Sequence, residues 1–261
     1  MRTIVIVAVA SVCLLPGCAA ERPAPEPVSP PEELVLTATT VAPDPRVGAV
    51  FLGGQTAHAC TAATLASRSH TLILTAAHCL AGGVEAGFVP GFEGAAEPGA
   101  VGRVEAVFLD PRWLRDQDPV ADFAIARVTY DDPDAAPGDG LVLGSTPRPG
   151  TVVTVTGYPA GEGGGPASCR APVHAGRQGF PSLHCDGVVG GFSGAPWIAG
   201  SVVTGVIGGL DGGGCADEVS YSPPFDEAVA ALLARAEEGG PGDAAPTVFG
   251  DGCSGVRSGT D

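Results

Sequence analysis

The chain contains no lysine. All 13 of its basic residues are arginine, set against 29 acids, and the formal net charge over 261 residues is −16. An excess of that sign repels a phosphate backbone and excludes nucleic acid as a partner. Long apolar runs are also missing: apart from the N-terminal stretch, no segment reaches the roughly 18 apolar residues expected of a spanning helix. No internal repeat of about 20–50 residues is present, so a solenoid or propeller is set aside. What the chain has in quantity is glycine (40) and proline (25), the composition of many turns and short strands, not of long helices. Hydrophobic residues make up 44%, enough for one large or two-lobed globular body.

Residues 1–17 have the make-up of an export signal: Arg2, an apolar run from Ile4 to Leu15, and a small-residue end at Pro16-Gly17. Cys18 follows directly, and Leu15-Pro16-Gly17-Cys18 resembles a bacterial lipobox, in which the cysteine is lipidated and becomes the first mature residue. An ordinary signal peptide with an incidental Cys18 is the alternative. Both readings take the protein out of the cytoplasm, to a membrane-anchored or a secreted state. Residues 18–45, rich in Pro and Glu, read as an extended solvated tether. Within them Leu34–Val41 is either an edge strand or more tether. With Cys13 in the signal and Cys18 at the lipid, Cys60, Cys79, Cys169, Cys185, Cys215 and Cys253 remain, an even set suited to disulfides in an oxidising compartment.

From residue 46 to 236 the pattern is strand and turn. Apolar runs at Val47–Leu52, Ala59–Leu65, Thr71–Leu74, Gly102–Leu109, Asp122–Val128, Thr151–Gly157, Ser182–Cys185 and Val202–Ile207 are separated by turn clusters. Short strands so spaced predict an all-β barrel or sandwich. Only Phe225–Ala236 reads as a helix, with Val229, Leu232 and Leu233 on one face. Residues 237–261 are Gly, Pro, Asp and Ser, the composition of a flexible tail.

Within this body, Gly191-Phe192-Ser193-Gly194-Ala195-Pro196 sets a serine among small residues, where the backbone turns sharply and leaves the hydroxyl accessible. A hydroxyl is a weak nucleophile until a base takes its proton, and the base needs a carboxylate to hold it. His78, in Thr75-Ala-Ala-His-Cys79, supplies the base. Asp122, which opens Phe123–Val128, can send its carboxylate into a barrel interior, where it needs a hydrogen-bond partner such as His78 Nδ1–H. The order His78, Asp122, Ser193 discriminates. An α/β-hydrolase requires its histidine after the serine, and no histidine follows Ser193. A subtilisin-like order requires an Asp before the His, and only Asp44 in the tether precedes His78. A zinc site on His58, Cys60, His78 and Cys79 competes with a disulfide reading of the same cysteines.

These motifs, with Val47-Gly-Ala-Val-Phe51, Thr156-Gly-Tyr-Pro159 and Gly205-Val-Ile-Gly-Gly209, resemble trypsin/chymotrypsin-type (family S1) serine peptidases, especially secreted bacterial members near the glutamyl endopeptidases. The resemblance runs from about Val47 to Ala236. It implies a double six-stranded antiparallel β-barrel with a short C-terminal helix and the site in the cleft between the barrels. It also implies Cys60–Cys79 around His78 and Cys169–Cys185 in the second barrel; Val189 stands where the family places a partner for Cys215, which leaves Cys253 for it as an open pairing. The backbone N–H groups of Gly191 and Ser193 would form the oxyanion hole. Gly187, with Asp186 beside it, would lie at the floor of the primary pocket, and Gly208 and Gly209 would offer backbone to an extended peptide. His184 is a further candidate for meeting an acidic substrate. Phe192 stands where trypsin-type enzymes carry the aspartate that pairs with a new N-terminus. Arg46-Val47 resembles an activation junction but has no such acid to meet, so the expectation is an oxyanion hole held without processing.

The expected function is an exported, lipid-anchored, monomeric serine endopeptidase acting on protein or peptide through His78, Asp122 and Ser193, with no metal or organic cofactor. The alternatives are a catalytically silent binding or adhesion module of the same fold, and an esterase using the same triad.

Overall fold

The computed structural model describes residues 36–249, other than 81, 97–98, 133–134, 217 and 248. The export signal, Cys18 and Cys253 lie outside the described residues. The strands, in chain order, are β1 (Thr39–Thr40), β2 (Val47–Leu52), β3 (Ala57–Thr64), β4 (Leu72–Thr75), β5 (Ala86–Pro90), β6 (Gly102–Leu109) and β7 (Ala124–Thr129). There follow β8 (Val142–Leu143), β9 (Val152–Gly157), β10 (Gly161–Glu162), β11 (Ala167–His174), β12 (Ser182–His184), β13 (Pro196–Ala199), β14 (Val202–Val206) and β15 (Val219–Tyr221). Two α-helices complete the set, α1 (Pro111–Asp116) and α2 (Glu227–Glu238).

The first sheet runs β10-β3-β2-β5-β6-β7-β4, and the further pairing of β3 with β4 closes β2 to β7 into a six-stranded antiparallel barrel. Its interior is filled by near-continuous apolar strands: β2 buries Val47, Ala49, Val50 and Phe51, and β7 buries Ala124, Ile125, Ala126 and Val128. Full burial of each larger side chain contributes about 1.5–3 kcal/mol. The second sheet runs β15-β12-β11-β9-β13-β14-β8, with β1 added on β11. It curls without closing. Where the end of β14 meets the end of β15 there is one backbone bond, Gly208 N–H to Tyr221 O at 3.1 Å, and beside it a side chain takes the place of a ladder partner: Val206 N–H donates to Ser222 Oγ. Pro223 and Pro224, which follow, have no N–H to extend β15. The expected second closed barrel is therefore a half-barrel. A separate core lies beneath it, built on Val153, Val155, Phe192 and Trp197.

The expected helix is present but starts two residues later than its apolar pattern. Asp226 caps it by accepting from Ala228 N–H, and Phe225 is buried just outside it. Helix α1 was not foreseen. Asp110 accepts from Arg112 N–H as its cap, Pro111 fills the first turn, and Trp113 anchors it in the core. Arg112 also holds Asp110 by side-chain hydrogen bonds.

Of the two readings of Leu34–Val41, the edge strand is the one seen: Thr39 and Thr40 oppose Ser168 and Ala167. The tail expected to be flexible is pinned through its described part. Asp243 N–H donates to Val107 O at 2.7 Å, Leu109 N–H donates to Asp243 Oδ2 at 2.7 Å, and Arg235 pairs with the same carboxylate. Gly82 N–H then donates to Pro246 O at 2.8 Å. Composition suggested mobility because Gly82, Val107 and Leu109 are remote in sequence from the tail. Among the described residues, no helix is long and apolar enough to cross a membrane.

Candidate active site

His78 sits in a single 3-10 turn, Ala77–Leu80, directly after β4. The disulfide Cys60–Cys79 ties that turn to β3. This pairing uses both thiols of the competing zinc set, and His58 points elsewhere, with Nε2 at 2.9 Å from Gly163 O among Phe51, Phe92 and Tyr158. Cys169–Cys185 forms in the second sheet as the resemblance implied. Cys215 is disulfide-bonded, and its expected partner Cys253 is outside the described residues.

Asp122 caps the end of a short 3-10 turn, Pro119–Ala121, just ahead of β7, and is fully buried. Its carboxylate is completely engaged. Oδ1 accepts from the His78 backbone N–H at 3.0 Å, and Oδ2 accepts from Gly209 N–H at 2.8 Å and lies 2.8 Å from His78 Nδ1. Such bonding offsets the cost of burying the acid and fixes the ring, leaving Nε2 as its free edge. Asp122 thus faces His78 on the first barrel and Gly209 on the half-barrel.

The loop carrying Ser193 is pressed against the strand that leads to His78. Gly194, at φ +80°, approaches so closely that a Cβ would lie 2.1 Å from Thr75 Oγ1 and 2.9 Å from Ala76 N. Thr61 N–H donates to Ser193 O at 2.8 Å, and Thr61 Oγ1 donates to Gly191 O at 2.8 Å. Serine and histidine loops are thereby held by the same pair of strands, β3 and β4. Gly191, at φ +99°, has no room for a Cβ, which would lie 2.2 Å from Ala160 N. The preceding carbonyl, Gly190 O, accepts from Ala160 N–H at 2.8 Å. A trans peptide then turns the Gly191 N–H away from Ala160.

Phe192 is fully buried, its ring packed on Gly157, where a Cβ would lie 2.4 Å from it. An apolar contact thus occupies the place of the trypsin-type ion pair. Val47 is fully buried in β2, and its N–H donates to Asp44 O. Beside it, the Arg46 guanidinium hydrogen-bonds Asp44 and holds that carboxyl below its usual range. The junction at Arg46-Val47 is an integral strand start.

Gly208 packs against the buried acid, a Cβ there lying 3.0 Å from Asp122 Oδ2, and its N–H donates to Tyr221 O at 3.1 Å, while Gly209 N–H donates to Asp122 Oδ2. Gly187, at φ +77°, is next to Ala38 of the N-terminal segment. That contact belongs to a brace that sequence reasoning missed: Asp186 N–H donates to Leu36 O at 2.7 Å, and Ala38 N–H donates to Asp186 O at 2.8 Å. The only signal was the apolar Leu34–Val41 stretch. His184 is exposed, its ring 4.5 Å from that of His174 on the neighbouring strand.

A barrel and a half-barrel that bring a carboxylate-held histidine and a glycine-flanked serine to facing edges define the chymotrypsin-like architecture. The trypsin-like peptidase domain family matches residues 60–206, and the chain belongs to that family. In fold it is similar to the protease Anisep from Arthrobacter nicotinovorans, at 19% identity over 77% of this chain and 100% of that one, with a TM-score of 0.65. It is also similar to the thermostable serine protease AL20 from an extremophilic microorganism, at 21% identity over 75% and 98%, with a TM-score of 0.63. A Glu endopeptidase aligns at 17% identity over 78% and 97%, with a TM-score of 0.62. No curated protein sequence matches the chain.

Proposed function

We propose that the chain is a serine endopeptidase in which Ser193 attacks the scissile carbonyl and forms an acyl-enzyme. The observation that carries this reading is the carboxylate of Asp122, buried and bonded to both His78 and Gly209, with the Ser193 loop seated on the same strands. His78 Nε2 takes the serine proton and later returns it to the leaving amine, while Asp122 stabilises the imidazolium. The N–H groups of Gly191 and Ser193 hold the oxyanion, each contributing on the order of 3 kcal/mol to the transition state. Gly208 and Gly209, whose N–H groups are held by Tyr221 O and Asp122, offer backbone carbonyls to the acyl part of an extended peptide, and Gly187 lies at the floor of the primary pocket. No step requires a metal or an organic cofactor.

The oxyanion loop is held without proteolytic activation. Buried Phe192 and the brace of Leu36 and Ala38 on Asp186 support this, since neither needs a free amine. The disulfides Cys60–Cys79 and Cys169–Cys185 fit an extracytoplasmic compartment. Leu15-Pro16-Gly17-Cys18 supports a lipid anchor on Cys18, with residues from 19 onward as a spacer and the folded body a monomer at the membrane surface.

The test is a comparison of internally quenched peptides with matched esters, using the chain and its Ser193→Ala variant. Internal peptide cleavage that disappears in the variant is expected. Ester turnover without peptide cleavage would contradict the endopeptidase reading.

A further inference from the structure

The described tail ends on the face of His78. Phe249 stacks on the imidazole with ring centroids 4.7 Å apart and planes 14° apart, and it also meets Trp113 at 5.5 Å. The anchors at Asp243 and Pro246 deliver it there, so this is a built contact and not a frayed end. With this cover the His78 side chain is only 11% exposed.

Both edges of the imidazole are committed, Nδ1 to Asp122 and, on the peptidase reading, Nε2 to Ser193. Only the two faces remain, and Phe249 covers one. Trp113 lies on α1, which packs on the 119–121 turn, and Val120 of that turn packs against the Phe180, Leu210 and Tyr221 group. Phe249 thus reaches the imidazole from the 110–122 connection, which also borders the 210–213 segment, on the side given above to the acyl part of the substrate. A reactive carbonyl sits about 3–3.5 Å from its nucleophile. Residues of an extended chain advance about 3.3–3.6 Å each. The side chain of the residue preceding the cleaved one is therefore within contact reach of that face, where the Phe249 ring already stands.

We infer that Phe249 is a specificity-determining residue that closes the subsite for the substrate residue immediately preceding the cleaved one, admitting Gly or Ala there and rejecting larger side chains. The inference rests on the peptidase reading. An aromatic ring in contact with both Trp113 and His78 occupies the place a second apolar side chain on that face would take, unless the strap moves.

The test uses the full chain and its Phe249→Ala, Phe249→Tyr and Asp243→Ala variants, on quenched peptides that differ only at that residue (Gly, Ala, Leu or Phe), alongside fluorophosphonate labelling. The native chain should prefer Gly and Ala. Phe249→Ala should raise kcat/KM for the Leu and Phe peptides by at least about tenfold, mainly through KM, the size expected for apolar pocket discrimination. The same change should leave the Gly and Ala peptides within about threefold. Phe249→Tyr should keep the native profile. Asp243→Ala, which releases the strap without touching the ring, should relax the profile in the same direction. An equal rise for all four peptides would overturn the inference and make the strap a general block. An equal fall, no change, or a native preference for Leu or Phe would also overturn it. If the native chain takes the label and the profile does not respond, the inference fails while the peptidase reading stands. If the native chain neither labels nor cleaves, both fail.

Discussion

Replacing Asp122 by asparagine removes one charge and almost no volume, which makes it a sharp probe of the site. The carboxylate is fully buried and meets three nitrogens: His78 N, His78 Nδ1 and Gly209 N. An amide has only one oxygen for these donors. With its oxygen toward Nδ1 and Gly209, its NH2 faces the His78 backbone N–H. With its NH2 toward Nδ1, that group faces the Gly209 N–H, and the imidazole proton must move to Nε2, where it blocks proton abstraction from Ser193. Either way one buried N–H is opposed, at a cost of about 1–3 kcal/mol, and no charge remains to stabilise the imidazolium. For a chain of this size that cost lowers Tm by roughly 2–4 °C per kcal/mol. The same substitution in an established Ser-His-Asp triad lowers kcat by about 10⁴, equivalent to about 5 kcal/mol of barrier. Turnover of a quenched peptide and thermal unfolding by circular dichroism, measured on one preparation, separate the two effects. A folded Asp122→Asn protein retaining more than a tenth of native kcat would refute the role given to this carboxylate.

Two further outcomes follow from the contacts around the site. Ala38→Pro removes the N–H that bonds Asp186 O, so peptidase activity and fluorophosphonate labelling should fall while the fold of the first barrel, read by near-ultraviolet circular dichroism, persists; unchanged labelling would show that the brace does not hold the oxyanion loop. Asp44→Asn should destabilise the protein at pH 7 by less than about 1 kcal/mol, since the pair is partly exposed. Because the Asp44 carboxyl is held below its usual value of 3.8 by Arg46, its contribution is present above that pH and is lost as pH falls through the lowered value. Denaturant melts of the two proteins should therefore differ at pH 7 and converge as pH falls below 3.8 and through the lowered value; a difference that persists once the carboxyl is protonated would mean the pair is not the cause.

The barrel class was legible, and His78, Asp122 and Ser193 could be singled out as candidates, because the signals are local. Thr75-Ala-Ala-His-Cys79 and Gly191-Phe-Ser-Gly-Ala-Pro196 are compact motifs, and strands such as Val47–Leu52 are unbroken apolar runs that stand out by composition. Strand β11, Ala-Ser-Cys-Arg-Ala-Pro-Val-His, was missed because its signal is alternation and not a run. Cys169, Ala171 and Val173 are buried, while Arg170 and His174 face outward. Helix α1 carried its own signal in Asp110-Pro111, a cap followed by a first-turn proline, within a stretch too short for helical periodicity. The two chain ends could not be read locally. Asp243 finds its partner Leu109 across 134 residues, and Leu36 meets Asp186 through backbone groups that have no side-chain signature. A Gly- and Pro-rich segment reads as mobile until its distant partners are known. The half-barrel was missed because closure depends on one ladder, and Pro223 and Pro224 interrupt it just past β15.

Fluorophosphonate labelling of the full chain, with the label located by mass mapping and with Ser193→Ala and His78→Ala alongside, bears on the central claim most directly. The account predicts a single label on Ser193 without prior cleavage at Arg46, absent in both variants. A folded, disulfide-bonded native chain that takes no label at Ser193 would contradict it and leave the fold serving as a binding module.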